Sequence, residues 1–159
     1  MNEQVRSQVD IFLSLITVSL IIFFDRITKI YFSNFLSLGE SLPVVRHVLH
    51  FTVVHNTGIA FGFFRDQGIV FIFIPVIAVV LLIFNIYFYK NNKALSQIYI
   101  VAFSLILGGA IGNLIDRIFF GYVIDFIDLR VWPVFNIADS AITVGAFIIL
   151  FKCIPYSAK

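Results

Sequence analysis

Charge is what this chain has least of. Only 13% of its 159 residues are Asp, Glu, Lys or Arg, about half the roughly one-quarter share usual in soluble domains. The net charge is +2, so no polybasic field exists to draw in nucleic acid. One cysteine, Cys153, excludes an internal disulfide and a CxxC metal site. His47, His50 and His55 have no companion set of ligands in the sequence, so neither metal nor cofactor is expected. Only four prolines occur, and no Ser- or Pro-rich linker divides the chain. One domain over 1–159 is the economical reading.

What remains is apolar. Hydrophobic residues make up 60% of the chain, and twenty residues are Phe. A soluble fold of this length has too little interior to hide so much apolar surface, which leaves the bilayer as solvent. A spanning helix needs about 20 mostly apolar residues. Four stretches qualify, at about 11–32, 68–89, 95–113 and 139–155. The charge-free part of the first, Ile11 to Phe24, is followed by Asp25-Arg26-Ile27-Thr28-Lys29 rather than by a small-x-small cleavage site, so it reads as a retained helix. The expected fold is a membrane all-α architecture of four transmembrane helices. A small β-containing segment is expected between the first two, where Val44 to Val54 is β-branched and aromatic and partly alternates.

Four spans place both termini and the Lys90–Lys93 turn on one side. The longer connections 33–67 and 114–138 share the other. Lys and Arg are nearly balanced, five against six. The two lysines packed into the tight second connection favour cytoplasmic termini. Trp132-Pro133 suits an interfacial anchor.

The rare polar groups gather at one face. Seven of the nine acidic residues fall on the side of the long connections; only Glu3 and Asp10 do not. Several have plain structural readings. Asp25 and Lys29 form a helix-stabilising i,i+4 pair or snorkel at the interface. Gly108, Gly109 and Gly112 are small residues of the kind that let helices approach. Asn113, Asp116 and Arg117 make a polar end to the third span. Asp139 suits a helix N-terminus, and Asp128 reads as a solvated loop carboxylate. Asp125 is harder to dismiss, because Gly121-Tyr-Val-Ile-Asp-Phe-Ile-Asp128 is an apolar segment where an unpaired carboxylate is expensive. Two carboxylates brought together there cannot easily both ionise, and such a pair can activate water against a carbonyl. By spacing alone Asp125 pairs with Asp139, Asp116 or Asp128. The rival class is a small transporter or proton-relay subunit, which calls for charges near the bilayer midplane. Spans two to four hold almost none there.

Five segments in order carry a resemblance: Asp25-Arg-Ile-Thr-Lys29; Asn56-Thr-Gly-Ile-Ala-Phe61; Gly108-Gly-Ala-Ile-Gly-Asn-Leu-Ile-Asp-Arg117; Val123-Ile-Asp-Phe126; and Phe135-Asn-Ile-Ala-Asp139-Ser. Together they resemble the lipoprotein signal peptidases (signal peptidase II), bacterial inner-membrane aspartic peptidases. The resemblance implies that Asp125 and Asp139 are the catalytic dyad. It implies an active site at the outer membrane face and cytoplasmic termini. The implied substrate is a prolipoprotein whose Cys already carries diacylglycerol, cut just before that Cys, with globomycin-type compounds as inhibitors. Membrane lipids are the other expected partners, and a monomer is the expected state. Asn113 and Asn136 are candidates for orienting the dyad, and Arg117 for binding substrate carbonyls or pairing with Asp116. Asp25, Lys29 and Gly108 are expected to hold the helices together around the site. Asn56 and Gly58 are expected to shape the surface segment over the substrate.

Overall fold

The computed structural model describes residues 3–58, 80 and 97–153. Three helices and three strands occur there: α1 (Glu3–Phe35), β1 (Ser41–Val45), β2 (Leu49–Asn56), α2 (Gln97–Phe120), β3 (Val123–Asp128) and α3 (Ile137–Cys153). The expected span at 68–89 lies outside the described residues, apart from Val80. Helices α1 and α2 are long and apolar enough to cross a membrane. At 1.5 Å per residue the 33 residues of α1 reach about 50 Å, well beyond a hydrocarbon core of about 30 Å. Asp25 and Lys29 lie inside α1, which runs three residues beyond the expected end of the first span at 32.

Helix α2 likewise runs seven residues beyond the expected end at Asn113. Asp116 and Arg117 are therefore helical, and with Asn113 they sit on successive turns. The helix stops where Gly121, at φ +78°, donates its N–H to the Arg117 carbonyl at 3.1 Å. A left-handed residue at that position is inexpensive only for glycine. Strand β3 begins two residues later.

The sheet is antiparallel, in the order β1-β2-β3. The β1–β2 hairpin is the surface β segment expected between the first two spans. The third strand was not expected, since 114–138 read as a connection. Its pairing with β2 is irregular between Phe51 and Val54, but sets Val54 opposite Asp125 and His50 opposite Asp128. The sheet rests on the end of α1. Phe32 stacks on Phe126 at 4.5 Å and meets Phe51 at 4.4 Å between ring centroids, with Leu36 and Val53 buried beside them. Aromatic packing of this kind fixes β3 over the helix ends.

The helices approach through glycine. A Cβ on Gly108 would meet Ile21 of α1 at 3.0 Å, while one on Gly109 would meet Ile142 of α3 at 2.8 Å. Two consecutive glycines thus serve two different neighbours. Gly145 on α3 returns the contact against Ala102 and Ile106 of α2. This is the close approach by small residues that lets helices associate in lipid.

Candidate active site

Asp125 sits in the middle of β3 and is almost fully buried. Both of its oxygens are held. The Asn136 side-chain amide donates to Oδ1 at 2.6 Å, and the Asn56 amide donates to Oδ2 at 2.9 Å. Asn56 is oriented in turn, because its own Oδ1 accepts the Gly58 N–H at 3.0 Å. Burial pushes the Asp125 carboxyl up to about 7. The neighbouring Asp139 charge adds to this, against the two amides and the Lys29 charge.

Asp139 comes from the first turn of α3, whose start is built by Asn136. The Asn136 side chain accepts the Asp139 N–H at 2.9 Å, and the Asp139 carboxylate accepts the Asn136 N–H at 3.3 Å. This reciprocal arrangement is a capping box. It fixes the half-buried Asp139 side chain beside the residue that holds Asp125. Asn113 of α2 closes the set: its Nδ2 donates to Asp139 Oδ1 at 2.7 Å, and its Oδ1 accepts from Asn136 at 3.1 Å. The two carboxylates are thus joined through Asn136, and Asn113 bridges Asn136 to Asp139.

A second cluster lies directly behind. Lys29 is fully buried, with Nζ 2.8 Å from Asp25, 2.7 Å from Asp116 and 3.0 Å from Asn113 Oδ1. Its burial removes the reading of an interfacial snorkel. Arg26 pairs with Asp116 as well. Asp25 also accepts the Ala138 N–H at 3.1 Å, and Asp116 accepts the Ile124 N–H at 3.2 Å. One cluster therefore fastens α1 to α2, to the start of α3 and to β3. Its formal charges cancel, with Lys29 and Arg26 against Asp25 and Asp116, as a buried group of ions requires. Gly112 belongs here too, since a Cβ there would stand 2.8 Å from Asp25 Oδ2.

Arg117 lies within electrostatic reach of Asp116, Asp125 and Asp139. Its guanidinium approaches the Asn113 carbonyl at 3.5 Å. Asp128 is not the solvated loop carboxylate read from the sequence. It is buried at the end of β3, takes the Thr52 hydroxyl at 2.8 Å, and takes the Arg130 N–H and guanidinium at 2.8 and 2.9 Å. Burial pulls its carboxyl up, but these hydrogen bonds outweigh that and hold it below the ordinary range. Asp116 is committed to Lys29 and Arg26. Of the three pairings that spacing left open for Asp125, the asparagine-linked one with Asp139 is the one assembled. Arg26 was missed as a member of the cluster, because nothing in one helix's spacing encodes a partner on another. Among the described residues, no group of His, Cys, Asp and Glu is arranged to hold a metal ion.

Residues 17–155 match the family model described as signal peptidase (SPase) II. The chain belongs to the signal peptidase II family. It is 42% identical over 135 residues to the lipoprotein signal peptidase of Halothermothrix orenii, covering 85% of this chain and 90% of that protein. It is 41% identical over 138 residues to that of Caldanaerobacter subterraneus, covering 86% and 92%. A solved structure described as a bacterial membrane enzyme superposes with a TM-score of 0.79 at 33% identity, covering 87% of this chain and 85% of that one.

Proposed function

We propose that this signal peptidase II family member is an integral-membrane aspartic endopeptidase. It removes the signal peptide from diacylglyceryl-modified prolipoproteins by cutting just before the lipidated Cys. The observation that carries the reading is the pair Asp125 and Asp139, joined through Asn136 and Asn113. The chain forms one domain in the inner membrane with four spans and cytoplasmic termini, and the site opens at the outer face. There the acyl chains of a substrate stay in hydrocarbon while the scissile bond reaches the carboxylates, which supplies positioning.

In the mechanism, half-buried Asp139 takes a proton from water as that water attacks the scissile carbonyl. Asp125, buried and protonated, donates a hydrogen bond to the developing oxyanion and then helps protonate the leaving amine. Asn113 and Asn136 orient both carboxylates, and Asn56 steadies Asp125. Arg117 binds substrate carbonyls. Asp25, Lys29 and Asp116 hold the helices that carry these groups, Gly108 allows α1 its close approach to α2, and Gly58 fixes Asn56. The decisive experiment is incubation of the purified protein in proteoliposomes with lipidated and unlipidated prolipoprotein. Cleavage of the lipidated form alone, blocked by a globomycin-type inhibitor, is expected. Efficient cleavage of the unlipidated form counts against the lipid-anchored reading.

A further inference from the structure

The segment that joins the two carboxylate-bearing elements, between β3 and α3, is a tight excursion closed at its base. Ile127 and Phe135 exchange backbone hydrogen bonds at 2.8 and 3.0 Å. Just inside that closure, Asp128 fastens Arg130 by both backbone and side chain, and Arg130 takes φ +66°. A non-glycine residue in that region is held by its surroundings. These bonds project a tip that is apolar: Val131 is 89% exposed and Trp132 59% exposed. The hairpin turn of β1 and β2 lies at the same end of the sheet, because His50 is opposite both Asp128 and Pro43. Val44, Val45 and Val48 are exposed there as well. Exposed Arg46 sits among them, and Asp128, the acidic group at that end, is neutralised by Arg130.

An apolar tip with an indole, flanked by cationic side chains, is the composition that settles at a bilayer's headgroup layer. The segment is continuous with the apolar helix α3, which begins only four residues after Pro133. We infer that the Val131–Trp132 tip, with the neighbouring Val45–Val48 turn, dips into the outer-leaflet interface and fixes the depth of the sheet in the lipid. Because the excursion connects Asp125 to Asp139, this contact sets how deep the carboxylate pair lies relative to a lipid-anchored bond. The inference rests on the membrane-spanning reading of the chain. It does not require the peptidase activity.

Trp132 is the single tryptophan of the chain, so its emission reports the tip without labelling. The full-length protein is placed in lipid nanodiscs, either plain or containing lipids brominated near the headgroup end of the acyl chain. Expected are blue-shifted emission, loss of intensity in the brominated discs, and insensitivity to aqueous iodide. Val131→Asp, which keeps the probe, should shift the emission to the red and weaken the bromine quenching while circular dichroism stays unchanged. Quenching by iodide but not by bromine places the tip in water and overturns the inference. Quenching by neither means that protein covers the tip and overturns it equally. Cleavage of prolipoprotein is measured separately in the same discs, so loss of the peptidase reading leaves the fluorescence result interpretable.

Discussion

Asn136 and Asp125 are joined by a 2.6 Å hydrogen bond, and the same Asn136 caps the helix that carries Asp139. One side chain therefore links the rotamer of one carboxylate to the backbone position of the other. Substituting Asn136→Ala removes both functions. Leaving a buried polar group without its hydrogen-bond partner costs about 1–3 kcal/mol, so cleavage should fall roughly 5- to 100-fold. Loss of the cap should cost about 1 kcal/mol of stability. Steady-state cleavage of a lipidated prolipoprotein and thermal unfolding in detergent check the two effects. Asn136→Asp should retain the cap and still lose activity, because it places a third carboxyl against the pair.

The dyad itself predicts asymmetry among three neighbouring carboxylates. Asp125→Asn and Asp139→Asn each remove a proton-transfer group, worth about 10²- to 10⁴-fold. Each should abolish measurable cleavage while leaving the protein folded in membrane. Asp128→Asn loosens Thr52 and Arg130 and should be much milder. Equal loss in Asp128→Asn, or full activity in either dyad variant, would contradict the assignment. Single-turnover assays on matched amounts of reconstituted protein separate these cases.

The sequence made Asp125 visible because a carboxylate in an apolar segment is anomalous whatever surrounds it, whereas Asp139 read as a plain helix N-terminus and was singled out by the family resemblance alone. It did not reveal β3 as a strand. Val123–Asp128 is six residues, buried nearly throughout, so it has no alternation to read, and its partner lies some seventy residues upstream in β2. From its spacing Lys29 was legible as half of an i,i+4 pair or as an interfacial snorkel, and its place in the scaffold came from the resemblance. Its burial depends on Asp116 and Asn113, which arrive from α2, and no local pattern encodes that meeting. The end of α2 was placed too early for a related reason. A charged turn inside a helix resembles an end unless its partners on other helices are known.

Glycine packing between α2 and α3 offers a test of the scaffold that leaves every polar group in place. Gly145→Ala would bring a Cβ to 2.6 Å from the Ala102 carbonyl oxygen, and Gly109→Ala would bring one to 2.8 Å from Ile142. Overpacking of this kind costs about 1–3 kcal/mol. Both variants should melt earlier in detergent. Gly109→Ala, whose Cβ would also press on the Ala138 backbone carbonyl inside the Asn136–Asp139 capping box, should also lose activity. An unchanged melting temperature in Gly145→Ala would mean that the helices separate without cost.

Lys29 should be among the least replaceable residues in the chain. Lys29→Met leaves Asp25 and Asp116 as buried carboxylates with only Arg26 between them. Breaking a buried ion pair by removing one partner costs about 3–5 kcal/mol. Adding Asp25→Asn to Lys29→Met should restore part of that loss, since it removes the charge left uncompensated. Lys29→Arg should not rescue, because a planar guanidinium does not fit a site built for a compact ammonium with three acceptors. Thermal unfolding of the single and double variants measures the coupling, and strict additivity would argue against a shared cluster.

Titration of the carboxylate pair gives the last test, and its sign follows from the direction of the shift. Asp125 moves from an ordinary 3.8 up to about 7 on folding, through burial first and the Asp139 charge second. Between those values the folded protein holds a proton that the unfolded chain has released. Stability contributed at this residue therefore falls as pH rises through that window and levels off above it. Catalysis needs the same proton on the pair, so kcat/KM should decline on an alkaline limb near neutrality, with the two carboxyls titrating as a unit. Removing the neighbouring charge in Asp139→Asn should let Asp125 lose its proton at lower pH. Infrared absorption of the protonated carboxyl, followed through a pH titration in lipid, reads that shift in a variant that no longer turns over. An Asp125 band that disappears at the same pH with and without the Asp139 charge would show that the two groups do not share a site.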